Sequence, residues 1–328
     1  MNKILLLSFL LVPLTACQTL QHMAPKRAAA NPVVSGNLLA GEYDNHEQVW
    51  SARGAAAGAA LAPHIVVTLE EASNADWSVW HVHYDASPAI DVVWAMQRTD
   101  AGNGTQLLLP HRAIVATPGR GSAFDAKQWT PLAACALRGS VTSTQVRVTA
   151  DVAACAAIVP GIGSDAALLP LSIDREGEWL HVRLYADQAR GADVREDTRK
   201  VEIYTGWAAV NGSGPQGAGN GNDWHMNKAI RLGSEGSRAA LVWRDGKPSG
   251  YSLGLERLTY REGNVPVLKL SLIDDATGGT LAYAWANPEA TRIGINLGWA
   301  QVGLDRTGML PADVSAVRAT QAGDPGKP

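Results

Sequence analysis

Long stretches of any one character are scarce in this chain of 328 residues. No run of Lys or Arg exceeds a pair, and the formal net charge is −3. Without a basic patch the sequence offers neither a nucleic-acid groove nor a polybasic membrane surface. Past the N-terminus no apolar run approaches the about 18 residues that a membrane-spanning helix needs. Sustained helical periodicity with caps is almost missing, which argues against an α-helical domain. Catalytic signatures are missing too. Ser122 and Ser164 have neighbouring glycines but sit in no Gly-x-Ser-x-Gly elbow. The Gly-rich segment 217–221 is not followed by Lys-Ser/Thr at a strand-to-helix junction, which excludes a phosphate loop. Phe numbers two and Tyr seven, against eleven Trp. An indole joins a large apolar body to one N–H donor, so a Trp-rich chain suits sheet faces and partly wet pockets.

What is present begins with a targeting pattern. Lys3 precedes a short apolar run over 4–14, and Leu14-Thr15-Ala16-Cys17 follows. Small residues before a cysteine read as a lipoprotein signal over 1–17, with Cys17 as the lipidated residue. Gln18 in place of Asp is expected to sort the protein to the outer membrane, facing the periplasm. Lipid on one residue anchors a protein without a spanning helix. Residues 18–37, with Pro25, Lys26-Arg27 and Pro32, read as a tether to the folded part.

Cys135 and Cys155 remain. An even pair in an oxidising compartment suggests a disulfide, which would contribute about 3 kcal/mol by restricting the unfolded chain. A zinc site would need a further Cys pair or an adjacent His, and a catalytic thiol would need a base placed beside it in the sequence.

Short β-rich runs alternate with turn signals, the pattern of an antiparallel sandwich or barrel. The spacing predicts strands over 63–70, 77–85, 90–98, 105–109, 113–117, 145–149, 168–173, 178–185 and 200–210. One helix is expected over 45–53, broken by glycine at Gly54 and Gly58. The Gly- and Asn-rich segment 211–222 reads as a flexible linker or a long loop. A smaller β unit is expected over 223–306, and 307–328 as a tail. Segments 200–210 and 292–302 echo one another, each with Gly before Trp, which suits a bulge or a close strand approach.

Three groups of side chains are candidates for a site. His81, His83 and Asp85 alternate on one strand face with His64 near, a set that either ligates metal or simply covers an exposed strand. Tyr43, Asn45 and Gln48 either hydrogen-bond a ligand at a barrel mouth or belong to a capped helix start, with Asp44 or Asn45 as N-cap and Glu47 or Gln48 closing a capping box. Trp80, Trp94, Trp179 and Trp207 either line a cavity or pack in the core.

The stretch Gly41-Glu42-Tyr43-Asp44-Asn45-His46-Glu47-Gln48 resembles the opening motif of the CpcT/CpeT chromophore lyase family. Later features follow in the same order: His64-Ile65 opening a strand, the region around Cys135, Cys155, then Arg190-Gly191 and Gly206-Trp207. The resemblance spans about 38–212. It implies a calycin-like antiparallel β-barrel over 38–212, and the smaller β unit that follows has no counterpart in the resemblance. It also implies a lyase that attaches a bilin, a linear tetrapyrrole, to a cysteine of a phycobiliprotein. Pro88-Ala89-Ile90-Asp91-Val92 stands where the family carries a basic stretch. Arginines there would meet the tetrapyrrole's carboxylates. The leading expectation is therefore a lipid-anchored envelope protein whose barrel binds a small hydrophobic or amphipathic ligand without turnover. Tyr43, Asn45, Gln48, Trp80, Trp94 and Trp207 are the expected ligand-binding residues. A bilin lyase and an envelope scaffold that docks a protein partner are the alternatives.

Overall fold

The computed structural model describes residues 38–54, 63–85, 88–114, 124–191, 194–217, 221–260 and 264–307. The signal, Cys17, the tether, Gly58, Ser122 and the tail past Thr307 lie outside them. No helix among the described residues is long and apolar enough to cross a membrane.

The chain forms β1 (Gly41–Asp44), helix α1 (His46–Gly54), β2 (Ile65–Glu71), β3 (Trp77–Tyr84), β4 (Ile90–Gly102) and β5 (Thr105–Ala113). Then come β6 (Trp129–Pro131), β7 (Leu137–Val141), β8 (Gln145–Ala150), helix α2 (Val152–Ala156), β9 (Pro170–Glu176), β10 (Trp179–Leu184) and β11 (Glu196–Lys200). All of these strands except β6 close into a 10-stranded antiparallel barrel. The sheet runs β4-β3-β2-β1-β11-β10-β9-β8-β7-β5, and β5 pairs back onto β4.

Strand alternation explains why the sheet curls around a core. Ile65, Val67 and Leu69 of β2, Trp80 and Val82 of β3, and Leu180, Val182 and Leu184 of β10 point inward and are buried. A side-chain period of two puts every second residue on the same face, so these apolar sets must share one interior. Trp80 and Trp94 sit opposite one another on β3 and β4. The Trp94 indole donates to the Leu168 carbonyl at 3.1 Å. Leu168 ends the turn Ser164–Leu168, which plugs this end of the barrel with α2 beside it. Asp151 caps α2 by accepting from the amides of Ala153 and Ala154. The Cys135–Cys155 disulfide ties α2 to the turn before β7.

β5 runs unbroken through Pro110, where separate strands over 105–109 and 113–117 were expected. Proline has no amide to give a ladder, and the partner of β5 changes there. β7 pairs with Thr105 to Leu108, and β6 with His111 to Ala113.

The smaller β unit comprises β12 (Ile203–Asn211), β13 (Trp224–Gly233), β14 (Glu235–Val242), β15 (Pro248–Leu258), β16 (Val267–Asp274), β17 (Thr280–Ala286), β18 (Arg292–Asn296) and β19 (Ala300–Arg306). Two four-stranded antiparallel sheets, β13-β12-β19-β18 and β14-β15-β16-β17, enclose one core that includes Tyr204, Leu253, Leu270 and Leu304. The strand expected over 200–210 thus belongs to this unit, paired with β13 and β19, and not to the barrel. The expected linker is the β12–β13 hairpin loop. Asn211 is fully buried, and its amide donates to the Gly221 carbonyl at 2.8 Å, closing the loop from within. Of the echoed pair Gly206 and Gly298, Gly206 works as a close contact: a Cβ there would sit 2.0 Å from the Gly303 carbonyl oxygen. Gly294, which the echo sets against Glu202, is a second close contact, where a Cβ would sit 2.5 Å from the Val302 carbonyl oxygen.

A buried ionic network joins the barrel to the second unit. Glu235, at the start of β14, accepts from Arg199 of β11 at 2.7 and 3.1 Å and from Arg257 of β15 at 3.0 Å. Arg199 also pairs with Glu47 of α1, and Arg257 with Glu178 at 2.9 Å. α1 is thereby held against the outer face of β11.

Candidate functional site

The expected ligand-binding residues do not converge. Tyr43, Trp80 and Trp94 are core residues of the barrel, each at most 1% exposed. The cavity beside Trp80, bounded also by Leu39, Trp77 and Met96, is about 30 Å³. That is room for about one water, far below the several hundred Å³ of a small-molecule pocket. Trp207 is 41% exposed and lies on β12, in the other unit. Asn45 is buried, accepting from the Ile65 amide at 2.8 Å and donating to the Pro63 carbonyl at 2.8 Å and to Glu196 at 3.2 Å. It is a junction residue. The helix start is capped instead by Asp44, whose carboxylate accepts from the His46 amide at 2.7 Å.

Gln48 alone of the set lines an open groove. Its side chain accepts from the Asp197 amide at 3.2 Å and donates to the Arg195 carbonyl at 3.0 Å, which seats α1 on β11. The groove between them, about 480 Å³, is lined by Glu47, Gln48, Ser51, Trp179, His181 and Asp197. Alternation builds it. With Leu180, Val182 and Leu184 turned inward, Trp179, His181 and Arg183 must face out. Register sets Trp179 opposite Arg199 and His181 opposite Asp197. The rings of Trp179 and His181 stand parallel, 6.1 Å apart, and the Arg199 guanidinium lies 5.2 Å from the indole centroid. Asp197 holds His181 through Nδ1 at 2.5 Å and accepts from Arg195 Nε at 2.9 Å. An imidazole fixed by a carboxylate at one nitrogen presents the other in a set direction. No hydrogen bond joins Ser51 to His181 among the described residues. The groove therefore offers an indole edge, an oriented imidazole and an amide rather than an assembled nucleophile and base.

Of these residues, Gln48 and Trp179 were expected from the sequence. His181, Asp197, Glu47 and Ser51 were not. Their signal was the alternation Trp179-x-His181-x-Arg183 facing Arg195-x-Asp197-x-Arg199.

Two of the three histidines considered as metal ligands, His64 and His83, form an ion-pair ladder with Asp44, Asp85 and Asp91. His64 Nε2 meets Asp44 and His64 Nδ1 meets Asp85, each at 2.8 Å. His83 Nε2 meets Asp85 at 2.9 Å, and His83 Nδ1 meets Asp91 at 2.8 Å. Carboxylates only accept, so two such contacts on one ring favour its doubly protonated form. The bond to Asp44, seconded by Asp85, raises the His64 pKa from 6.5 to about 9. Asp91 and then Asp85 raise that of His83. No cluster of three or more ligating side chains occurs among the described residues. Elsewhere, burial raises the pKa of Glu196 and of Asp187, which share the Arg190 guanidinium at 2.6 and 3.0 Å.

Fold and groove together define a filled, closed antiparallel barrel with an open groove on its outer wall. No protein-family model, curated protein or solved structure matches the chain.

Proposed function

We propose that this is a non-catalytic, lipid-anchored envelope protein that binds a small amphipathic ligand in the groove between α1 and β10–β11. The observation that carries the reading is the groove itself. It has ligand-sized volume, a Trp179 indole for apolar contact and Gln48, His181 and Asp197 for polar contact. A CpcT/CpeT-like barrel keeps its place in this reading as a scaffold, with the ligand moved from the interior to the wall. The disulfide suits an oxidising compartment such as the periplasm, and Leu14-Thr15-Ala16-Cys17 supplies the anchor. The test is native mass spectrometry of protein repurified from a periplasmic extract. A non-covalent adduct is expected, and it should be lost in Trp179→Ala. No adduct, or one that survives this substitution unchanged, rules the groove out.

A second reading, docking of an envelope protein, is favoured by the outer face of β17. Leu281, Tyr283 and Trp285 alternate there at 44–59% exposure. Tyr283, Trp285, Tyr260 and Trp50 follow one another with ring centroids 5.4–5.7 Å apart. A photocrosslinker at Tyr283 that captures no envelope protein in cells would dismiss it.

A further inference from the structure

The barrel face that carries Trp179 and His181 continues beyond them. The next outward residue of β10 is Arg183, and Arg195 stands just before β11. A second open groove of about 540 Å³ lies here, with Thr149, Ser172, Arg183 and Arg195 in its lining and Val152 and Val194 among its apolar walls. Register places Thr149 of β8 opposite Ser172 of β9, and Ser172 opposite Arg183. Two hydroxyls and a guanidinium thus lie side by side across three strands.

Among the described residues no carboxylate lines this groove, and the nearby described carboxylates hold other partners, although the Arg183 charge also acts on Asp187. Asp174 accepts from Arg147 at 3.0 Å, Asp187 from Arg190 at 3.0 Å and the Leu184 amide at 2.7 Å, and Asp197 from Arg195 at 2.9 Å. Arg183 forms no ion pair among the described residues, and its buried Nε has no hydrogen-bond partner. A buried donor on a cation without an acceptor is costly. A guanidinium presents its N–H groups as a planar fork that matches the paired oxygens of a phosphate or carboxylate. Hydroxyls rotate to donate to the same oxygens.

We infer that this groove binds an oxyanion, a phosphate or a carboxylate, held by Arg183 with the hydroxyls of Thr149 and Ser172. Arg195, already paired with Asp197 at 2.9 Å, lines the groove beside it. The inference deepens the ligand reading and rests on it for one point: the oxyanion is the head of the amphipathic ligand whose body lies against Trp179. Arg183 stands two residues past His181, and Arg195 two before Asp197, about 7 Å along each strand. The Asp197 charge between the grooves is offset by Arg195 and by the bond to His181.

Calorimetric titration with inorganic phosphate, acetate, dodecyl phosphate and dodecanol at fixed ionic strength tests this. One saturable site for phosphate or acetate is expected, and the better of the two identifies the head group. Arg183→Gln should weaken it at least about tenfold, and exposed Thr149→Val about threefold. Absence of binding by either anion, or equal binding by the wild type and both variants, overturns the inference. If Arg183→Gln does not fold, unchanged affinity in Thr149→Val overturns it. Dodecyl phosphate should bind more tightly than phosphate. If it does not, the extended ligand fails while the anion site stands. Dodecanol binding that Trp179→Ala abolishes, without any anion binding, leaves the groove reading intact and removes the oxyanion.

Discussion

Arg199→Met tests the ionic junction on which the candidate groove is built. The Arg199 side chain is 4% exposed, Glu235 is fully buried and Arg257 is 2% exposed. Removing one guanidinium deprives Glu235 of two hydrogen bonds at 2.7 and 3.1 Å and deprives Glu47 of its ionic partner. Breaking a buried pair by deleting one member costs about 3–5 kcal/mol, because the remaining charge stays desolvated. Glu235 keeps Arg257 at 3.0 Å and the Ser234 hydroxyl at 3.0 Å, and Glu47 keeps the Thr259 amide at 3.0 Å. The loss should therefore sit at the low end, about 3 kcal/mol. A chain of this size loses about 2–3 °C of melting temperature per kcal/mol, which gives a drop of about 6–9 °C by far-UV circular dichroism. The triple variant Arg199→Met, Glu235→Leu, Arg257→Met removes the buried charges together. Glu47 and Glu178, at 14% and 41% exposure, are left with access to water. Replacing a whole buried network with apolar groups is often close to neutral, so the triple variant should recover most of the loss. A single variant that costs under about 1 kcal/mol would refute the reasoning, as would a triple variant that is worse than the single one.

His64→Gln should have a pH-dependent cost. The folded pKa, about 9, lies above the ordinary 6.5. The stabilisation is therefore fully present below pH 6.5 and is lost as pH rises through about 9. The full shift corresponds to about 3 kcal/mol, which solvent access to a side chain 30% exposed reduces to about 1–2 kcal/mol. Urea midpoints should separate wild type from variant near pH 6 and coincide near pH 10; equal separation at both would sink the account. Reducing Cys135–Cys155, which closes a loop with a sequence separation of 20, should cost about 3 kcal/mol and lower the calorimetric melting temperature by several degrees. A melting curve indifferent to reductant would contradict it.

Much of the wall of this barrel was readable from alternation, and its closure was not. The period of two over Trp77 to Asp85 separates Trp80 and Val82 from His81 and His83 on sequence alone. The pairing of Tyr43 with Lys200 that sets β1 beside β11 spans most of the barrel segment, and nothing local announces it. Composition left two readings open at 211–222, a linker or a long loop. A Gly- and Asn-rich stretch suits both equally, and the difference lies in the buried Asn211 amide. The echo with 292–302 marked one close contact, at Gly206, which admits a backbone oxygen that no side chain would allow.

The same contrast explains the site. Tyr43 and Gln48 were adjacent candidates in one polar stretch, yet the change from strand to helix at Asp44–Asn45 sends them to different solvents. Tyr43 ends in the core. Gln48 reaches the outer wall, where its partners are 147 and 149 residues away. A local reading sees a polar cluster and must choose between capping and ligand contact. In the fold, Asp44 caps, as the capping reading allowed, while Asn45 joins and Gln48 lines a groove, so no single choice describes the whole cluster. With Trp80 and Trp94 occupying the barrel, volume for a ligand is left on its wall. That wall is also where strand alternation collects Trp179, His181 and Arg183, three residues that a filled interior has no room to use.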